Sequence, residues 1–175
     1  MYSCGDYLRS TVVDAGGKLR SISEDIASQP GAPGKWSPKQ IIGHLIDSAS
    51  NNHQRFVRAQ FQNHLRFDGY DQNAWVSAQG YQQANWLELV GLWEALNLHL
   101  ARVMEATPAE ILLKEHLDHN FDQVAWEVVS PRMPATLEYF MRDYIGHLKH
   151  HLRQIDPVLT TPPEKQNAGA TFKRS

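Results

Sequence analysis

Apolar residues recur at three- and four-residue intervals in four stretches of the chain, and that period predicts four helices. Tyr7, Leu8, Val12, Val13, Leu19, Ile22 and Ile26 carry the first over residues 6–28, with a kink expected at Gly16-Gly17. "QPGAPGK", Gln29 to Lys35, then breaks the period with two prolines and two glycines. Ser37 offers a cap, Pro38 suits the first helical position and Gln40 can complete a capping box, so a second helix is expected from Pro38 to Asn63. The third opens on Asn85 with Glu88 and runs through Trp86, Leu89, Val90, Trp93, Leu96, Leu100, Val103 and Met104 to Thr107-Pro108. The fourth has Thr136 as its cap and ends at Ile155, before Pro157.

Arg66 to Gln83 mixes aromatic and turn residues without a sustained period and reads as a long surface connection with room for one helical turn. Pro108 to Pro134 is a second long connection, with no helix or strand assigned inside it. The pattern defines an all-α chain: one domain over residues 1–156, a tail over 157–175 with little to bury and expected to be mobile, and an antiparallel four-helix bundle.

Length supports one core rather than two, since 175 residues make a single domain of ordinary size. A formal net charge of −2, with no run of basic residues, argues against a nucleic-acid partner. No apolar run reaches the ~18 residues of a membrane span, so no membrane partner is expected. The lone cysteine, Cys4, cannot form an internal disulfide, and the first residues carry no secretory pattern, so the expected location is the cytoplasm.

The nine histidines change the picture, because imidazole is the commonest protein metal ligand. His147 and His151 stand four apart on the fourth helix, one turn apart on one face, as a chelating pair requires. Asp143 and Gln154 fall within roughly 40° of His147, at the edge of the apolar stripe. On the second helix His44, Ser48, Asn51 and Arg55 form a polar rank beside Ile41, Ile42, Leu45, Ala49 and Phe56. If the two helices are neighbours, the ranks meet in a cleft and His44 adds a third nitrogen. Three neutral imidazoles with an open fourth position describe a catalytic rather than a structural metal site. Against this stands the plainer reading of boundary histidines, with His150 able to replace one member of the pair.

The neighbouring polar residues have two readings each. Asp47 is either a surface carboxylate or the group that orients His44. Asp143 either serves its own helix or bonds the free nitrogen of His147. Arg55 is either a salt-bridge residue or the holder of an anionic substrate group. Trp75, Trp86, Trp93 and Trp126 are expected in the core, with Trp75 also able to line a pocket. His53, His64, His99, His116 and His119 are expected at the surface.

"KWSPKQIIGHLIDSASNNHQRF", followed about a hundred residues later by "YFMRDYIGHLKHHLRQI", resembles the DinB-like (YfiT-like) superfamily over residues 35–155. The resemblance implies an up-down-down-up bundle with a long crossover in place of the simple antiparallel arrangement. It also implies a metal triad at His44, His147 and His151. Similar proteins include thiol transferases acting with bacillithiol or mycothiol, a thiol-dependent isomerase and metal-dependent hydrolases. The function implied is a metalloenzyme, transferase or hydrolase, that activates a thiol or water for attack on a small electrophile. Its cofactor would be Zn²⁺ or Ni²⁺, with a low-molecular-weight thiol as cosubstrate. The alternatives are a non-catalytic metal-binding or stress-response bundle, closed by a fourth ligand such as His150 or Asp143, and a metal-free bundle acting through its surface. A homodimer fits any of them.

Overall fold

The structure is a computed structural model that describes residues 3–156; the tail over 157–175 lies outside the described residues. Four long helices carry the fold: α1 (Cys4–Leu19), α3 (Pro38–Ala59), α5 (Trp86–Ala106) and α8 (Leu137–Ile155). Four short ones lie between them: α2 (Glu24–Ala27), α4 (Gln72–Ala78), α6 (Ala109–Leu112) and α7 (Phe121–Val124). A 3-10 turn spans Tyr81–Gln83.

Contacts between helices fix their directions. Gly5 and Arg9 of α1 meet Glu105 of α5 while Arg20, just past α1, pairs with Glu94, so α1 and α5 are antiparallel. His44 faces His151 and Phe56 faces Phe140, so α3 and α8 are antiparallel too. Cys4 and Tyr7 lie beside Arg142 and Lys149 in the same order, so α1 runs parallel to α8. The bundle is therefore up-down-down-up, with α3 parallel to α5, as the family resemblance implied and the simple antiparallel reading did not. A parallel α3–α5 pair needs a connection that returns the length of the bundle, and the stretch from residue 60 to 85 does so.

Capping follows the sequence closely. Ser37 and Gln40 form the reciprocal box at the start of α3, Asn85 accepts from the Glu88 N–H, and Thr136 accepts from the Tyr139 N–H. The first helix departs from expectation. It runs unbroken through Gly16-Gly17 but stops at Leu19, and a new cap at Ser23 starts α2. Gly5 explains the close approach of α1 to α5: a Cβ there would lie 2.6 Å from the Ala101 carbonyl oxygen.

The two connections, which carried no period, are tied to each other. The Leu65 N–H donates to the Asp118 carbonyl at 2.8 Å, and the Leu65 carbonyl accepts from the Asn120 N–H at 3.3 Å. His116 and His119, expected at the surface, are buried in this seam. His119 Nε2 lies 2.8 Å from the Met133 carbonyl oxygen and His116 Nδ1 lies 3.2 Å from that of Asn63. Their imidazoles satisfy loop carbonyls that no helix or sheet pairs.

Candidate metal centre

Antiparallel packing of α3 on α8 brings the two polar ranks face to face. His44, His147 and His151 meet with ring centroids 5.1, 4.6 and 4.6 Å apart, and one nitrogen of each lies within 4.8 Å of the others. His44 Nε2 stands 3.2 Å from His147 Nε2. Two nitrogens ~2.05 Å from a tetrahedrally coordinated zinc ion would be about 3.3 Å apart, so this pair already has the spacing of a ligand edge.

Protonation and orientation favour ligation as well. Burial pushes the His44 imidazole down to about 4, with the charge of His151 adding to the effect. Burial pushes His147 down to about 3, helped by His151, His44 and His150, and His151 is lowered for the same first reason. All three rings are neutral near pH 7 and keep a lone pair. His151 Nδ1 lies 2.9 Å from Gln154 Oε1, which can only accept, so the ring carries its proton on Nδ1 and presents Nε2 as the free donor. Gln154 Nε2 in turn contacts His150 Nε2, and His150 is not among the converging ligand atoms. His44 Nδ1 is buried without a partner.

The carboxylates serve the walls instead of the imidazoles. Asp143 does not bond His147; it accepts the Trp126 and Glu127 N–H groups at 2.9 and 2.7 Å and pins the second connection to α8. Asp47 does not orient His44. It accepts from Gln79 Nε2 at 2.5 Å and Tyr81 Oη at 2.7 Å and pins the first connection to α3. Burial raises the pKa of both. Arg55 forms no ion pair among the described residues; its Nη2 donates to the Asp68 carbonyl at 2.6 Å.

A cavity of about 240 Å³ opens on His44 and His147 and is lined further along by Ser48, Asn52, Arg55, Tyr70, Trp126 and Asp143. Another of about 590 Å³ opens on His151 and Gln154 beneath Trp36, whose ring centre is 5.2 Å from that of His44. The histidine cluster thus stands between two cavities. Trp86 and Trp93 are buried as expected, but Trp75 and Trp126 are partly exposed, and the cavity wall is Trp126, not Trp75.

One signal in the sequence announces these walls. "IGHL" occurs twice, at Ile42 to Leu45 and Ile145 to Leu148. Each glycine receives an aromatic ring from a connection: a Cβ at Gly43 would lie 2.1 Å from Tyr81 Cδ2, and one at Gly146 would lie 3.0 Å from Trp126 Cζ3. The glycines let a ring of the connection lie against the helix one residue before a cluster histidine, Trp126 on the cavity wall and Tyr81 in the core. We expect Gly43→Ala to lift Tyr81 off α3, weaken its bond to Asp47 and cost about 1–3 kcal/mol, as overpacking does. Chemical denaturation checks this, and an unchanged midpoint would show that the ring does not need the contact.

An up-down-down-up bundle with three imidazoles converging between two helices defines a class of helical proteins with a candidate metal centre in the bundle wall. The chain belongs to the DinB superfamily, whose family model matches residues 17–155. It is similar in fold to a solved structure described as "YfiT from Bacillus subtilis is a probable metal-dependent hydrolase with an unusual four-helix bundle topology". The two are 18% identical, with a TM-score of 0.68 over 88% of this chain and 85% of that one. No curated protein matches the chain. Among the described residues no helix is long and apolar enough to cross a membrane.

Proposed function

We propose that this protein is a metal-dependent enzyme in which His44, His147 and His151 hold a divalent ion that activates water or a low-molecular-weight thiol. The nucleophile would attack a small electrophile in the adjoining cavity. The observation that carries this reading is three neutral imidazoles, His44 buried and His147 and His151 half-buried, converging at the end of a cavity, with no fourth described side chain joining the cluster. A fourth protein ligand would support the structural alternative. Of the candidates for it, Asp143 is engaged with backbone N–H groups and His150 with Gln154, and no described residue of the crossover joins the cluster.

When bound, such an ion lowers the pKa of a coordinated water or thiol, so that hydroxide or thiolate is available near neutral pH. The chain's own residues do the rest. Gln154 holds His151 in the ligating tautomer, and the connections anchored on Asp47 and Asp143 bring Tyr81 and Trp126 onto the helices that carry the histidines. Hydrolysis and thiol transfer differ in which nucleophile takes the open position, and the YfiT description favours water as the first to test. Zn²⁺ and Ni²⁺ both suit all-imidazole ligation.

Elemental analysis of tag-free protein tests the proposal. Wild type is expected to carry close to one equivalent of a divalent metal, and His147→Ala/His151→Ala to carry none. A wild type that is metal-free and takes up neither Zn²⁺ nor Ni²⁺ would overturn it.

A further inference from the structure

Arg55 is a part of the cavity that the metal reading leaves unexplained. Its side chain is over nine-tenths buried, yet it forms no ion pair among the described residues. Of its five N–H donors only those on Nη2 have a described acceptor, the Asp68 carbonyl oxygen. None of its nitrogens is both sealed from solvent and unbonded, so the remaining donors reach open space. A buried guanidinium costs free energy unless an anion compensates it. Asp68 acts on it only through space, and Asp143, which shares the cavity, has an oxygen bonded to each of two backbone N–H groups.

Arg55 borders two cavities. One is the histidine-bearing cavity; the other lies on the far side, lined by Asn51, Arg58 and Arg66. The Asp68 carbonyl that Nη2 reaches lines the far cavity, while Phe140 places the guanidinium on the histidine side as well. The Arg55 Cζ lies 5.9 Å from the Phe140 ring centre, and Phe140 lines the histidine-bearing cavity only.

We propose that Arg55 is the anion-binding residue of this cavity and that the substrate is an elongated small molecule with a carboxylate or similar oxyanion at one end. The inference rests on the metal-enzyme reading for the position of the reacting atom at the other end. Arg55 follows His44 by eleven residues on α3, roughly 16 Å along the axis, and side chains lean toward the helix N-terminus. Both side chains lean the same way, but the longer arginine reaches further back, leaving on the order of 10–15 Å between charged group and reacting atom. Ser48 and Tyr70 line the cavity between them, so the middle of the ligand meets a polar wall.

NMR titration of metal-free protein with hexanoate and with hexanamide, its neutral counterpart, tests this. Hexanoate should bind about tenfold more tightly, the worth of one charge-assisted hydrogen bond. It should shift Arg55 Nε and the Tyr70 and Val124 amides. Arg55→Met should abolish the preference and Arg55→Lys should keep part of it. Equal binding of the two probes, no binding of either, or shifts confined to Asn51, Arg58 and Arg66 would overturn the assignment. If Arg55→Met does not fold, the wild-type and Arg55→Lys titrations still decide. Because the preference should survive in His147→Ala/His151→Ala, failure of the metal reading would show separately, as absence of metal with the hexanoate preference intact.

Discussion

His44→Ala should weaken metal binding by at least about a hundredfold while leaving the bundle folded. A zinc site built from four protein ligands is worth roughly 10–16 kcal/mol, about 3 kcal/mol for each ligand, and 2.8 kcal/mol is a factor of a hundred. The effect should be large because His44 is the contribution of α3: without it the centre is an i, i+4 pair on one helix, as commonly found on protein surfaces. The fold should survive because His44 Nδ1 has no partner to lose and the ring is held in its neutral form. Gln154→Ala sets the lower scale. It removes the acceptor at His151 Nδ1 but no ligand, and about a tenfold loss is expected. Competition with a chromophoric chelator measures both constants. If His44→Ala bound as tightly as wild type, the third ligand would not be His44, and the convergence of α3 with α8 would have no part in holding the ion.

The three histidines could be found in the sequence because their chemistry and their helical period agree. His147 and His151 share a face by spacing alone, and His44 lies in a polar rank beside an apolar arc, the signature of a side chain facing a neighbouring helix at the core's edge. Spacing could not place His44 against residues a hundred positions later. The family resemblance supplied that, together with the parallel α3–α5 pair, and the contacts Gly5–Glu105, Phe56–Phe140 and Tyr7–Lys149 fix both independently. The connections stayed illegible because their order comes from long-range bonds: Asp47 to Gln79 and Tyr81, Asp143 to Trp126 and Glu127, Leu65 to Asp118 and Asn120. For the same reason Asp47 and Asp143 looked like partners of the histidines. Each lies close to a cluster histidine in sequence, but its carboxylate turns to a connection whose backbone or side-chain donors need it more than a neutral ring does. Gly43 and Gly146 could have been singled out by the repeated "IGHL"; a glycine in a long helix is not signal enough, since Gly91 in α5 has nothing against it.

Acid should unfold the metal-free protein through these same histidines. His44 and His147 are held at about 4 and about 3 when folded, against an ordinary imidazole near 6.5 in the unfolded chain. Between those values the unfolded chain binds protons that the folded chain refuses. Stability is therefore fully present above pH 6.5 and falls as the pH drops toward 4, by up to about 1.4 kcal/mol per pH unit for each histidine. Over two units the pair removes about 5 kcal/mol, comparable with the whole stability of a marginal domain. The carboxylates of Asp47 and Asp143 act in the opposite sense, because burial raises them and the folded state gains protons first as the pH falls. Comparison of the metal-free wild type with His44→Gln/His147→Gln separates the two, since both proteins keep both aspartates. The variant should lose much less stability between pH 7 and pH 4.5 in urea denaturation, so the wild-type curve should fall away from it as the pH drops. Parallel curves would mean that the rings take up protons in place, through a cluster open enough to hydrate a cation, and the neutral imidazoles on which metal binding depends would then need a higher pH than 7 to be fully formed.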